Sequence, residues 1–224
     1  MIIGAPTTGL VLGIDTSVDV RVGLARDGIP IARDGLADSR AHAEQLMPLV
    51  DRLLTDAGAD WRDLDQVAVG LGPGPFTGLR VGIATAQTLA FALGVPWRGV
   101  CGIDVVAAEY AASDPVAAAG LVAATDARRR EVYWARYDSG GARVDGPRVS
   151  RPDELPDLPV IGPGAHLVRD AGPRGPQWID AALLAARTYA EAGTEPLYLR
   201  RPDAQVPGRR KSTLPRLLPP VGRR

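Results

Sequence analysis

Residues 9–17 read GLVLGIDTS, an apolar run that ends in the polar turn Asp15-Thr16-Ser17. A second apolar run covers Asp19 to Ala25 and is followed by Asp27-Gly28. Runs rich in Val and Leu on both sides of a short polar turn are typical of a β-hairpin. This part of the chain therefore predicts two antiparallel strands that open a sheet.

A similar pattern begins again at Gly120. GLVAATDAR at 120–128 matches GLVLGIDTS, and ARYD at 135–138 matches ARDG at 25–28, so that Asp126 stands where Asp15 stands. A repeated hairpin predicts an α/β protein of two related halves. We expect a first half at 1–112, a smaller second half at 113–204 and a disordered Pro- and Arg-rich tail at 205–224.

Apolar spacing predicts further elements between and after the two hairpins. In chain order they are a strand at 30–36, helix 41–57, strand 67–71, a helix from the Gly-rich turn 72–78 to about 93, strand 97–101, helix 104–112, a long Gly- and Pro-rich connection 140–176 with a short strand at 159–162, helix 178–192 and strand 196–200. The second helix carries Gly78, Gly82, Ala86 and Ala90 in one row at four-residue spacing. Side chains this small allow another backbone to approach, so we expect close packing on that row.

Composition limits the possible functions of the 224 residues. Apolar residues make up 46% of the chain, and the formal net charge is zero, so the folded part lacks the basic excess that holds tRNA or DNA by its phosphates. The tail after Leu199 has eight Lys and Arg residues against Asp203, and a solvated end and an RNA contact both remain open. The single cysteine, Cys101, indicates a reducing, cytoplasmic location. No signal peptide or membrane span is expected.

The candidate chemical groups are few. Asp15-Thr16-Ser17 is either a polar hairpin turn or a turn that holds a phosphate through backbone N–H groups, with Asp15 positioning a metal-bound water. The Gly-rich turn lacks the lysine of GxxxxGK[ST], and Arg80 is its nearest cation. His42 and His166, the only histidines, lack partners at metal-ligand spacing, so no metal site is expected.

Five segments together resemble the TsaB (YeaZ) family. They are LGIDTS at 12–17, HAEQLMP at 42–48, GLGPGPFTGLRVG at 70–82, DARRREVY at 126–133 and PLYLR at 196–200. The resemblance implies an α/β, actin-like (ASKHA) fold with two ribonuclease-H-like halves. Pro75 departs from the small residues common in the family, and the tail beyond Ala204 has no counterpart.

The same resemblance implies a function without catalysis. Members support the catalytic paralogue TsaD, which moves threonylcarbamoyl to N6 of adenosine 37 in tRNAs reading codons that begin with A. TsaD has a His-x-x-x-His metal pair where this chain has CGIDVVA at 101–107, so we expect no catalytic and no metal residues. Expected partners are TsaD, TsaE through that complex, tRNA only through the complex, and a second copy when the chain is alone. No cofactor is expected, except a nucleotide at the partner interface.

The family's partner surface is built from the first two helices of the N-terminal half. The resemblance and the helical phase assign to it His42, Gln45, Leu46, Leu49, Leu53, Thr77, Gly78, Arg80, Val81, Gly82, Ala86 and Ala90. Asp15, Thr16 and Ser17 are assigned to a vestigial phosphate turn. Two enzyme readings compete: an ATPase or kinase with Asp15 and Asp126 around Mg²⁺, and a metalloprotease, which the missing histidines disfavour.

Overall fold

The computed structural model describes residues 4–37, 42–113, 119–168, 175–190 and 192–200. The backbone of His42 and Ala43 is described, but their side chains are not. The tail predicted at 205–224 lies outside the described residues.

The first sheet has five strands in the order β3-β2-β1-β4-β5. Its strands are β1 (Leu10–Asp15), β2 (Val20–Arg26), β3 (Ile29–Leu36), β4 (Gln66–Gly70) and β5 (Trp97–Val100). β1, β2 and β3 form the antiparallel hairpins that the sequence predicts, whereas β4 and β5 run parallel to β1. Three antiparallel strands extended by parallel ones are the ribonuclease-H-like arrangement.

The second sheet repeats the first four strands of this arrangement in the order β8-β7-β6-β9. Its strands are β6 (Leu121–Asp126), β7 (Val132–Tyr137), β8 (Arg143–Ser150) and β9 (Val160–Ile161). β6 pairs antiparallel with β7 and parallel with β9, as β1 pairs with β2 and β4. The repeat predicted from the sequence is therefore confirmed, and the fold is the predicted actin-like one.

Four helices cover the first sheet and join it to the second. They are α1 (His42–Asp56), α2 (Phe76–Leu93), α3 (Gly102–Ser113) and α4 (Ala181–Ala186). α1 and α2 pack on one face of the first sheet, against residues such as Leu12 and Ile14. α3 and α4 belong to a core that also contains Val11 of the first sheet and Ala123 of the second. This shared core holds the two halves together.

The C-terminal part of the sequence was predicted least well. β8 lies inside the stretch that the sequence analysis assigned to a long connection. The strand was missed because Gly146-Pro147 interrupts its pattern. The helix predicted at 178–192 is only α4, because the chain turns extended at Arg187 and pairs with residues 4–6 near the N-terminus. The predicted strand 196–200 is wrong; there Leu197 N–H donates to the Leu71 carbonyl, outside any strand.

The predicted boundary of 113–204 also needs correction. α4 lies against β1, β2 and β3 of the first sheet, and Leu197 hydrogen-bonds to Leu71 at the end of β4. α4 and Leu197 therefore return to the first half after the second sheet is complete, whereas Arg200 pairs with Glu131 of the second half. Among the described residues, the elements of the second half are β6 to β9 and the short helical turns Pro152–Glu154 and Ala165–Leu167.

Candidate functional site

The first hairpin turn follows β1 and is buried. Oδ1 of Asp15 accepts hydrogen bonds from the backbone N–H of Ser17 at 2.9 Å and from its hydroxyl at 2.7 Å. Thr16 donates through Oγ1 to the carbonyl of Gly78 at 2.8 Å, which ties the turn to the first turn of α2. This hydrogen bond holds the turn next to the Gly-rich loop, so the two sequence motifs lie together in the fold.

The Asp15 carboxylate has no open space in front of it. A Cβ atom on Gly70 would overlap its Oδ2, and one on Gly102 would lie 3.5 Å from that same oxygen. A Cβ on Gly74 would come within 2.8 Å of Cβ of Ser17. Oδ2 has no hydrogen-bond partner among the described residues. Burial raises the Asp15 pKa to about 6. This turn is packed with the chain's own atoms, and a phosphate has no room there.

The small-residue row of α2 faces this turn. A Cβ on Gly82 would overlap Oγ1 of Thr16, and Ala86 and Ala90 are buried in the core beneath the helix. The close packing predicted for Gly78, Gly82, Ala86 and Ala90 is present, but the neighbour is the chain's own sheet and turn. These four residues are buried within the chain itself and leave little surface for a partner, so their burial disfavours the interface assignment.

The leucines assigned to the interface in α1 are also buried. Leu46, Leu49 and Leu53 are at most 3% exposed and pack on the first sheet. Their three- and four-residue spacing was correctly interpreted as a buried face, but that face covers the chain's own core. Gln45 is exposed on the opposite side of α1, and Met47 is 40% exposed. The side chain of His42 lies outside the described ones.

The outward side of α2 carries apolar side chains together with two threonines. We call Thr77, Val81, Ala84, Thr88 and Phe91 the outer stripe; they alternate at four- and three-residue spacing and are exposed, except Val81, which is half-buried. Phe91 is 90% exposed. By length and composition α2 would suffice to cross a membrane, a test that core helices of water-soluble proteins also pass, and 33% of it is buried. An aromatic ring this exposed in an apolar stripe is typical of a docking surface.

One end of the outer stripe is fixed by a cluster that the sequence did not predict. The guanidinium carbon of Arg80 lies 3.7 Å from the ring centre of Phe76, and its Nε donates to the Tyr198 hydroxyl at 3.2 Å. The rings of Phe76 and Tyr198 lie 4.8 Å apart. Arg80, assigned to the interface from the sequence, thus also holds residues near the C-terminal end of the described chain against α2.

The second hairpin turn, 127–131, differs from the first. Arg128 N–H donates to Oδ1 of Asp126 at 2.6 Å, the bond that Ser17 makes to Asp15 in the first turn. Arg128, Arg129 and Arg130 then have φ of 63°, 55° and 61°, and all three side chains are exposed. The left-handed conformation costs a non-glycine residue about 1–2 kcal/mol. The chain thus holds three successive arginines outward at an energetic cost.

Comparison with known proteins identifies the family. Residues 37–192 match the family model described as TsaD, tRNA N6-adenosine threonylcarbamoyltransferase. An uncharacterized protein of Mycobacterium tuberculosis is 43% identical over 205 residues, which cover 87% of this chain and 93% of that protein. TsaB of Escherichia coli, named a tRNA threonylcarbamoyladenosine biosynthesis protein, is 32% identical over 231 residues, covering 89% and 99% of the two chains. The chain belongs to the TsaB (YeaZ) family.

A solved structure of YeaZ from Pseudomonas aeruginosa supports this TsaB assignment in three dimensions. It superposes with a TM-score of 0.64 at 28% sequence identity and covers 79% of this chain and 89% of that one. The family and fold inferred from the five motifs are therefore confirmed.

Residues 101–107, the segment where the resemblance leads us to expect no metal pair, belong to the core. Cys101 and Asp104 are buried at the start of α3, and burial raises the Cys101 pKa to about 12. Asp104 accepts a hydrogen bond from Tyr137 at 2.6 Å and pairs with Arg143 at 3.3 Å. Within the described residues, no three His, Cys, Asp or Glu side chains lie close enough to hold a metal ion.

Proposed function

We propose that this chain is a non-catalytic partner subunit of TsaD in the transfer of threonylcarbamoyl to N6 of adenosine 37 in tRNAs that read codons beginning with A. The observation that carries the proposal is the outer stripe of α2, an exposed surface of apolar side chains and threonines around Phe91 on a member of the TsaB family. The stripe fits a partner protein of this system because it runs along 15 residues of one helix and ends in the exposed ring of Phe91.

The chemistry of the first turn supports a role without catalysis. An ATPase or kinase that used Asp15 around Mg²⁺ would need its carboxylate to reach the ion. Here Oδ1 is used by Ser17 and Oδ2 is enclosed by Gly70 and Gly102. This geometry disfavours the ATPase alternative. In the proposal, the chain stabilises an active arrangement of TsaD by packing and needs no cofactor of its own; any nucleotide binds at the shared interface.

The proposed interface uses the exposed residues of the two helices. On α2 it consists of the outer stripe and Arg80, and on the neighbouring α1 it includes Gln45 and Met47. TsaD is the occupant in the working complex, and a second copy of this chain occupies the same surface when TsaD is absent. TsaE and tRNA join through the TsaD complex, and the setting is the cytoplasm.

The test is reconstitution of the transfer with a bacterial TsaD, TsaE and the enzyme that makes threonylcarbamoyl-adenylate. Threonylcarbamoyladenosine in tRNA is measured with and without this chain. We expect product only when TsaD and this chain are both present, and none from the chain alone. Transfer that proceeds equally without this chain, or that the chain performs alone, would contradict the proposal.

A single substitution examines the surface. Phe91→Asp replaces the exposed ring of the stripe by a charge, which would lose its hydration on contact with TsaD, and we expect TsaD binding to weaken at least tenfold. The matched control is Ile29→Asp, because Ile29 is also an exposed apolar residue, at 66% exposure, and lies away from α2 on the edge strand β3. Equal effects of the two variants would show that the outer stripe is not the interface.

A further inference from the structure

We infer that the second hairpin turn, together with Arg151, binds the phosphodiester backbone of RNA. The binding surface consists of Arg129, Arg130 and Arg151, and we call it the basic turn. The choice of RNA among phosphate compounds rests on the proposed function, whereas the site itself rests on the placement and charge of these residues.

The fold brings these arginines to one edge of the second sheet. β6 and β9 are parallel, so the turn after β6 and the loop after β9 leave the sheet at the same edge. In open α/β sheets, ligands bind at the carboxyl ends of parallel strands. The pairing of Val132 with Ser150 then places Arg151, the residue after β8, beside the turn. Residues distant in sequence thus line one open depression of about 800 Å³.

The two halves of the chain differ at this edge. The turn after β1 is buried and filled by the Gly-rich loop, whereas the turn after β6 has the same aspartate hydrogen bond and is open to solvent. The open turn carries arginines in a left-handed conformation that glycine would adopt at lower cost. Packing does not explain this choice, since the three side chains are exposed. Strained residues that persist are typical of functional sites.

The local charge is positive although the whole chain is neutral. The nearby acids are engaged: Asp126 pairs with Arg128, and Glu131 pairs with Arg200. Neither Arg130 nor Arg151 has an ion pair within the part of the chain that the structure describes. Among the described residues that line the depression, Asp153 is the one acid. Guanidinium groups bind phosphate oxygens in a bidentate manner, which makes arginine suited to this surface.

The shape of the depression favours an RNA backbone over a free nucleotide. Its described lining contains no aromatic ring on which a base would stack. The lining residues are Arg129, Arg130, Arg151, Pro152, Asp153, Leu167 and Val168. Contacts to phosphates alone position a nucleic acid without reading its sequence. Such a contact suits a subunit that meets tRNA inside a larger complex and leaves recognition of adenosine 37 to its partner.

The test compares two variants of equal charge. Arg130→Glu with Arg151→Glu reverses two charges in the basic turn. Arg26→Glu with Arg62→Glu reverses two exposed charges in the first half, where Arg26 pairs with Leu10 at the start of β1. Binding of unmodified tRNA to the full chain in complex with TsaD is measured by fluorescence anisotropy at several salt concentrations.

We expect the first variant to lower tRNA affinity about tenfold or more at low salt. The slope of log affinity against log salt should become shallower by about 2, since each lost phosphate contact removes about 0.9 from it. The second variant should change affinity less than about twofold. Equal losses in both variants would indicate a non-specific charge effect and overturn the inference, as would an unchanged slope.

Two further measurements separate the possible failures. In the reconstituted transfer, the first variant should raise the tRNA concentration for half-maximal rate about tenfold and leave the maximal rate within about twofold. If the wild-type chain does not support transfer, the proposed function fails; if it does and the variant behaves like the control, only the basic turn fails. ATP is the nucleotide probe. Loss of ATP binding in the first variant, with tRNA binding unchanged, would also overturn the RNA assignment.

Discussion

The hydroxyl of Tyr137 donates a 2.6 Å hydrogen bond to Oδ1 of Asp104, and this bond joins α3 to the second sheet. Arg143 on β8 reaches the same oxygen at 3.3 Å. Asp104 is 1% exposed, and burial raises its pKa despite these two partners. Burying the Asp104 carboxylate therefore costs free energy, and Tyr137 and Arg143 on the neighbouring strands β7 and β8 offset that cost.

Removing the carboxylate should destabilise the protein more than removing the hydroxyl. Tyr137→Phe deletes one hydrogen bond to a charged group and should lower the free energy of unfolding by about 2 kcal/mol. Asp104→Ala leaves the partly buried Arg143 without its counter-ion and should lower it by about 3 kcal/mol. Urea unfolding of both variants and of the double variant is the measurement. Additive losses would show that the two residues do not interact.

Asp15 should make stability depend on pH. Its pKa is about 6 in the folded protein and 3.8 as the reference value for an unfolded chain. Between these values the folded state holds more protons, so the free energy of unfolding falls as pH rises from about 4 to about 6. The decrease attributable to Asp15 is about 3 kcal/mol, and it is complete above the folded pKa.

Asp15→Asn isolates this contribution, because the amide does not titrate. The stability of the variant relative to wild type should rise by about 3 kcal/mol between pH 4 and pH 7. Urea unfolding at four pH values in this range measures the difference. Parallel curves for the two proteins would show that the Asp15 pKa is not raised by burial.

Strong local patterns in the sequence predicted the N-terminal half well. The hairpin of β1 and β2 follows from apolar runs around Asp15-Thr16-Ser17, and α2 ends at Gly94, which has a φ of 70°. The second hairpin was found by its similarity to the first. These elements depend on neighbours in sequence, so one chain is enough to predict them.

The parts that the sequence did not predict depend on tertiary contacts. α4 is short because Arg187 and Thr188 pair with residues 4–6, far away in the chain. The row from Gly78 to Ala90 was correctly expected to pack closely, but its spacing does not say whether the neighbour is the same chain or a partner. The basic turn was not singled out, because Arg151 joins it only through the pairing of β7 with β8.

Gly82→Ala should destabilise the protein although alanine is the better helix former. Alanine gains about 1 kcal/mol over glycine in a helix. At this position its Cβ would overlap Oγ1 of Thr16, whose hydroxyl is fixed by its bond to Gly78, so α2 must shift. We expect a net loss of about 1–2 kcal/mol in thermal unfolding. Thr88→Ala on the exposed face of α2 is the control and should be neutral or slightly stabilising; stabilisation by Gly82→Ala would contradict the described packing.

Arg130→Gly should separate stability from binding at the basic turn. Arg130 has a φ of 61°, a conformation that glycine adopts without strain. Relief of that strain exceeds the extra flexibility that glycine gives the unfolded chain, so the free energy of unfolding should rise by about 0.5–1 kcal/mol. The same change removes a guanidinium from the RNA surface and should weaken tRNA binding severalfold.

Arg62→Gly, at an exposed position remote from the turn, should not stabilise the protein and should leave tRNA binding unchanged. A more stable variant with weaker tRNA binding would indicate that the left-handed arginine is kept for its ligand, whereas a less stable variant with wild-type binding would indicate a structural role for Arg130.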